Sequence, residues 1–160
     1  MGIGPSTKET TLHHFRDPLI DAVSNDSDFD LVGIIVAGTP QVNDDKVFVG
    51  ERIGAWVEAM RVDGVIVSID GWGNSNIDFV SVLDSIGDRD IPVVGLSFIG
   101  TQAEFVISSK YLNKKTVLDF NKSKQGIETN VVGENNIEPI DAKKALAFLK
   151  LKIKIKQQNK

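Results

Sequence analysis

Three β-branched apolar runs recur in the first hundred residues: Leu31–Ala37, Gly64–Ile69 and Val93–Ile99. Each gives way to small polar residues, respectively Gly38-Thr39-Pro40-Gln41, Asp70-Gly71-Trp72-Gly73-Asn74-Ser75 and Gly100-Thr101-Gln102. The runs have the length of buried strands, and the gaps between them hold a helix and two turns, which is how a βαβαβ unit reads in sequence. In the first gap, Val47, Ile53, Val57 and Met60 recur at helical spacing, with Phe48 and Trp56 widening the stripe, so Asp45–Arg61 is expected as a long helix packed on the sheet. In the second, Phe79, Val80, Leu83 and Ile86 share one side of a helix over Ile77–Ile86 that Gly87 ends. The expected fold is α/β, a three-layer Rossmann-like domain with a mostly parallel central sheet. If the strands are neighbours in order, right-handed crossovers place both long helices on one face, leaving the other to be covered by the N-terminal helices or the C-terminal one.

At the start of the chain, Ser6-Thr7-Lys8-Glu9 fits a capping box, and Asp17-Pro18 is a second helix start with proline where its missing N–H costs nothing. Residues 7–24 therefore read as two helical pieces with a bend. Beyond Gly100 the pattern loosens into short candidate strands at Ala103–Ser108, Thr116–Phe120 and Thr129–Val132, followed by a helix over Asp141–Leu149. Leu151-Lys152-Ile153-Lys154-Ile155-Lys156 alternates with period two, as an edge strand would, but is also compatible with a frayed helix end. It is read as an exposed tail, so residues 1–150 form one α/β domain and 151–160 a Lys-rich C-terminal tail.

Length and composition agree with a single core: 160 residues, 41% hydrophobic and 25% charged. No apolar run approaches the roughly 20 residues that cross a bilayer, and the first residues lack a secretory pattern, so a cytoplasmic location is expected. The chain holds no cysteine. That removes thiol nucleophiles, thiolate ligands and disulfide relays from its possible chemistry, and redox catalysis by these residues alone is not expected. The net charge of −4 conceals an acidic stretch from Asp17 to Asp45 and five lysines in the last eleven residues. A basic tail without a broad basic face is weak support for nucleic-acid binding, which is not expected.

Ligands of open parallel sheets collect beyond the carboxyl ends of the strands, where this sequence concentrates Gly, Asp, Asn, Thr and Trp. Asp70, Trp72, Asn74 and Ser75 open the second helix and could bring backbone amides and side chains to an anion. A tight strand-to-helix turn capped by Asn74 or Ser75 explains the same residues. There is neither a G-x-G-x-x-G nor a G-x-x-x-x-G-K pattern, so nucleotide cofactors are not expected. Thr39 and Thr101 join the candidate set only by converging on the same edge. His13, His14, Arg16 and Asp17 crowd both histidines of the chain beside a planar cation and a carboxylate. Adjacent histidines diverge by about 100° on a helix, which disfavours a shared metal. A carboxylate-bearing ligand or partner suits Arg16 and one histidine, while a local Arg16–Asp17 pair is the plainer alternative. Asp119–Lys124 reads as a solvated loop.

The segments Gly2–Glu9, Leu12–Leu19, Asp70–Ser75, Ile91–Leu96, Gly100–Gln102 and Asp119–Lys124 together resemble the glycine/sarcosine/betaine and D-proline reductase family. The resemblance runs from Gly2 to about Leu151 and is to the pyruvoyl-bearing part of that family's proline-reducing proprotein; in size the chain is most similar to a small cysteine-free protein encoded beside such an enzyme. In the family, a precursor cysteine becomes an N-terminal pyruvoyl group that captures the substrate amine, and a selenocysteine on another subunit attacks the ring carbon. The absence of cysteine here implies a component without that electrophile. The resemblance thus implies a binding or assembly subunit of a D-proline reductase system, which opens the proline ring to 5-aminovalerate. Its expected partners are the other reductase subunits, with D-proline or a related amino acid as possible ligand, in an oligomer without cofactor or metal of its own. A stand-alone small-molecule binding module on the same fold is the rival reading, and acid–base catalysis by His13 or His14 a third.

Overall fold

The computed structural model describes residues 17–69, 74–97, 107–112, 116–120 and 137–159. Among them are four helices, α1 (Pro18–Ser24), α2 (Asn43–Ala59), α3 (Ser75–Gly87) and α4 (Pro139–Gln158), and three strands, β1 (Val65–Ser68), β2 (Val93–Ser97) and β3 (Val117–Asp119). The strands form one wholly parallel sheet in the order β1-β2-β3. Val65 to Ser68 pair with Val93 to Leu96, and Gly95 to Ser97 with Val117 to Asp119. The central strand β2 is buried along its whole length, as a continuous apolar run in a parallel sheet should be.

Successive strand side chains go alternately to two apolar clusters. Val65, Val67, Val93 and Val117 join Phe79, Val80, Val82, Leu83 and Ile86 of α3 and Ile53 and Val57 of α2. Ile66, Val94, Leu96 and Leu118 join Ala142, Ala145 and Leu149 of α4, with Leu19 and Ala22 of α1. α2 and α3 thus share one cluster, and α1 and α4, from the two ends of the described chain, supply the other. Gly95 serves the first cluster by its lack of a side chain, since a Cβ there would lie 2.7 Å from Cζ of Phe79.

The helix starts follow their capping residues. Asp17 accepts the N–H of Leu19 at 2.9 Å while Pro18 occupies the first turn of α1. Asp141 accepts the N–H of Glu138 at 3.0 Å, with Pro139 first in α4. The helix expected to stop at Leu149 continues to Gln158, so the alternating Lys-rich segment is helical. Lysines hold it there. Lys150 reaches Asp26 and Asp28, each at 2.8 Å; Lys152 donates to the carbonyl of Val93 at 2.8 Å and to Oγ1 of Thr116 at 3.1 Å; and Lys156 lies 2.9 Å from the Asp90 carboxylate. Burial pulls the Lys152 ammonium below the usual lysine range.

Two expectations are overturned. Leu31–Ala37 forms no strand; it is irregular and mostly exposed, only Ile35 packing against the first cluster. β-branched composition marks a chain suited to a pleated surface, but a strand exists only with a hydrogen-bonded neighbour, and among the described residues these have none in the sheet. The second concerns the face of α2. Its buried residues are Lys46, Gly50, Ile53, Gly54 and Val57, whereas Val47, Phe48, Trp56 and Met60 point outward. The helix packs on α3 more than on the sheet.

The reason is a close parallel approach of α2 and α3. Lys46 meets Asp78, Gly50 meets Ser81, Gly54 meets Ser85 and Glu58 meets Arg89, so the contact repeats about every four residues along both helices. A Cβ on Gly50 would lie 2.8 Å from the carbonyl carbon and oxygen of Ser81, and one on Gly54 would lie 2.9 Å from the carbonyl oxygen of Ser85. Only glycine fits such backbone-to-backbone contact, the same logic by which small residues at four-residue spacing bring membrane helices together. Arg89 closes the far end, with Nη1 donating to the Ser85 carbonyl at 2.6 Å and Nε 3.3 Å from Glu58.

Gly50→Leu should therefore lower unfolding free energy by about 1–3 kcal/mol through overpacking, while Ala55→Leu on the exposed side leaves it nearly unchanged; urea titration of both variants checks this. A second expectation concerns acid. Hydrogen bonding to Lys150 holds Asp26 below its usual pKa, so this pairing stabilises fully above the unfolded carboxylate pKa and is lost as pH falls through the folded one. Asp26→Asn should lower the urea midpoint at pH 7 and narrow the difference between pH 7 and pH 3.

Candidate functional site

The carboxyl ends of the strands carry Ser68, Ser97 and Asp119, and α3 starts shortly after β1 ends. Four buried polar side chains belong to these strand and helix ends: Lys46, Asn76, Asp78 and Ser97. Their centre is an ion pair. Nζ of Lys46, in the first turn of α2, donates to Oδ2 of Asp78 at 2.6 Å, in the first turn of α3. Lys46 is 2% exposed and Asp78 5%, and Oδ1 of Asp78 has no hydrogen-bond partner among the described residues.

Taking both charges out of water costs several kcal/mol per ion, which their mutual attraction must offset. Local structure helps. Asp78 sits at the positive end of the α3 dipole, and Asp44 and Asp45 beside Lys46 offset the unfavourable placement of a cation at the start of α2. The unpartnered oxygen is the costly part of the arrangement, since a buried acceptor left unmade forfeits its hydration.

The candidate residues read from the sequence separate into groups. Thr39 is exposed, four residues before α2; Asn74 is exposed and Ser75 half-buried at the start of α3. Lys46 and Asp78 tie these two helix starts together. Asn74 has helical backbone angles and its side chain caps nothing, while its carbonyl accepts the N–H of Ile77 at 3.2 Å. Asp17 belongs elsewhere: it caps α1, which packs against α4 in the second cluster. His13, His14, Arg16, Asp70, Trp72 and Thr101 lie outside the described residues.

Sequence reading missed Lys46 and Asp78. A signal was present: Lys46, Gly50 and Gly54 recur every four residues, placing the lysine on the same helix face as two small residues. A groove lined by Gly33–Val36, Trp56, Ala59 and Met60 lies at the opposite end of α2 from Lys46. It is apolar and holds none of the candidate polar residues. No helix among the described residues is long and apolar enough to cross a membrane.

A parallel α/β sheet whose first strand leads into a polar helix start is a scaffold found under many functions, and comparison with known proteins narrows it. Residues 2–129 match the family described as glycine/sarcosine/betaine reductase component B subunits, and the chain belongs to that family. It is 46% identical over 151 residues to the D-proline reductase proprotein PrdA of Acetoanaerobium sticklandii, an alignment covering 94% of this chain and 24% of that protein. Over 80 residues it is 30% identical to the sarcosine reductase complex component B subunit alpha of Peptoclostridium acidaminophilum, covering 49% of this chain and 19% of that one. The chain thus spans about a quarter or less of the curated relatives it matches. No solved structure matches it.

Lys46→Ala leaves a buried carboxylate alone and should cost about 3–5 kcal/mol, whereas Lys46→Met with Asp78→Leu should recover most of that loss. Urea unfolding of the single and double variants is the measurement, and a double variant no more stable than the single one would contradict the pairing.

Proposed function

We propose that this chain is a component of a D-proline reductase system, acting as a binding or assembly subunit without a cysteine-derived pyruvoyl group of its own. The observation that carries the reading is the 46% identity to a D-proline reductase proprotein over nearly the whole chain, joined to the absence of cysteine from all 160 residues. The homology supports membership of a reductase system. The missing cysteine supports a role in recognition, because these residues hold no precursor for that carbonyl.

On this reading the fold is a three-layer Rossmann-like frame and the protein works in the cytoplasm. The other reductase subunits are its partners, and D-proline or a related amino acid is the candidate ligand. The proposed contact residues are Thr39 ahead of α2, Asn74 and Ser75 at the start of α3 and Asp17 at the start of α1, together with His13, His14, Arg16, Asp70, Trp72 and Thr101, which lie outside the described residues. The buried Lys46–Asp78 pair would fix the start of α3, which carries Asn74 and Ser75, against the start of α2, which Thr39 precedes by four residues.

The purified chain incubated with D-proline and a dithiol should yield no 5-aminovalerate, and its capture from a proline-fermenting cell should bring down the reductase subunits. Turnover by the isolated chain would overturn the recognition role. Recovery of the chain alone with a bound metabolite would favour a stand-alone binding module.

A further inference from the structure

The inward turn of Lys46, Gly50 and Gly54 leaves α2 with an outward face rich in large apolar groups. Phe48 is 59% exposed, Trp56 50% and Val47 47%. Val32, Ile34 and Val36 of the irregular segment are also exposed, and Gly33–Val36 lie beside Trp56 and Met60 to form the groove. The same helix presents Asp44, Asp45 and Glu51 to solvent against one exposed cation, Arg52, while Glu58 is paired with Arg89, so its outer surface is apolar and net acidic. Arg52 stacks over the rings of Phe48 and Trp56 at 6.0 and 5.5 Å and keeps its charge.

A second uncovered stripe runs the length of α4. Ile140, Lys143, Lys144, Leu151, Lys154 and Ile155 are all exposed, and their spacing puts them on one side of the helix, within about a third of its circumference. This stripe is apolar and basic. The two helices belong to different clusters, one for each set of alternating strand side chains, so one molecule cannot bring the two stripes together. They match in length as well, at 17 and 20 residues.

We propose that copies of this chain associate head to tail, the α4 stripe of one copy seated on the α2 face and Gly33–Val36 groove of the next. Charge selects this pairing. Placing α4 against α4 would oppose lysines, and α2 against α2 would oppose carboxylates, whereas α4 against α2 pairs opposite signs around an apolar centre. The contact is heterologous, so its products are closed rings or open chains of copies. This proposal is independent of the reductase reading.

Sedimentation velocity of the full chain over a concentration series is the test. Association should rise with concentration and weaken about tenfold between roughly 0.05 and 0.5 M salt. Lys143→Glu with Lys154→Glu should abolish it, as should Glu51→Lys with Ala55→Lys, each with unchanged circular dichroism. An equimolar mixture of the two charge-reversed variants should associate again, a rescue that misfolding cannot produce. A chain that stays monomeric throughout, or one whose association ignores both reversals, overturns the proposal.

Discussion

The architecture depends on how closely α2 can approach α3. Two glycines four residues apart remove the side chains that would hold the backbones apart, and Ser81 and Ser85 supply small partners opposite them. Once the helices touch at that distance, the groups flanking the glycines are fixed as well. Lys46 is carried into contact with Asp78 at one end and Glu58 is set beside Arg89 at the other. The first of these pairs is buried and unforgiving, because neither ion can regain water while the helices remain together. In the second, Glu58 is open to solvent while Arg89 is largely buried, so water screens the pair from one side and it contributes less. The contact is thus specified mainly by shape and by one enclosed charge pair.

This contact decides what the rest of α2 must do. A helix has one face to bury, and here the glycine face takes it, turning Phe48 and Trp56 to the outside. The usual preference for burying the largest apolar groups is overridden because a closely seated pair of backbones gains dispersion contact along its whole length. The aromatic face is left for something other than this molecule's own core.

Much of the fold was legible in the sequence. The strands within Gly64–Ile69 and Val93–Ile99 are legible because β-branched composition, length and flanking glycines agree. The helix at Pro18 was read from its capping aspartate. What failed has a common origin in tertiary partnership. Leu31–Ala37 carries every local mark of a strand and has no neighbour to pair with among the described residues. Helical periodicity placed α2 correctly within two residues, yet assigned its face by size, where backbone proximity ruled. The Leu151–Lys156 alternation suited a strand as well as a helix, and contacts to Asp26, Asp28, Val93 and Asp90, far off in sequence, made it helical. For the candidate site, the strand-edge argument located polar helix starts, but the buried Lys46–Asp78 pair joining them depends on a meeting of residues 32 positions apart.

The lysine contacts of α4 bear on how the molecule is made. Lys150 joins Asp26 across 124 positions, and Lys152 reaches back 59 positions to β2. During synthesis, α3 can settle on the nascent sheet as soon as β2 has left the ribosome, whereas the opposite side waits for α4. Until then Val94 and Leu96 are wet on that side, and the growing chain is a half-covered sheet of the kind that chaperones engage.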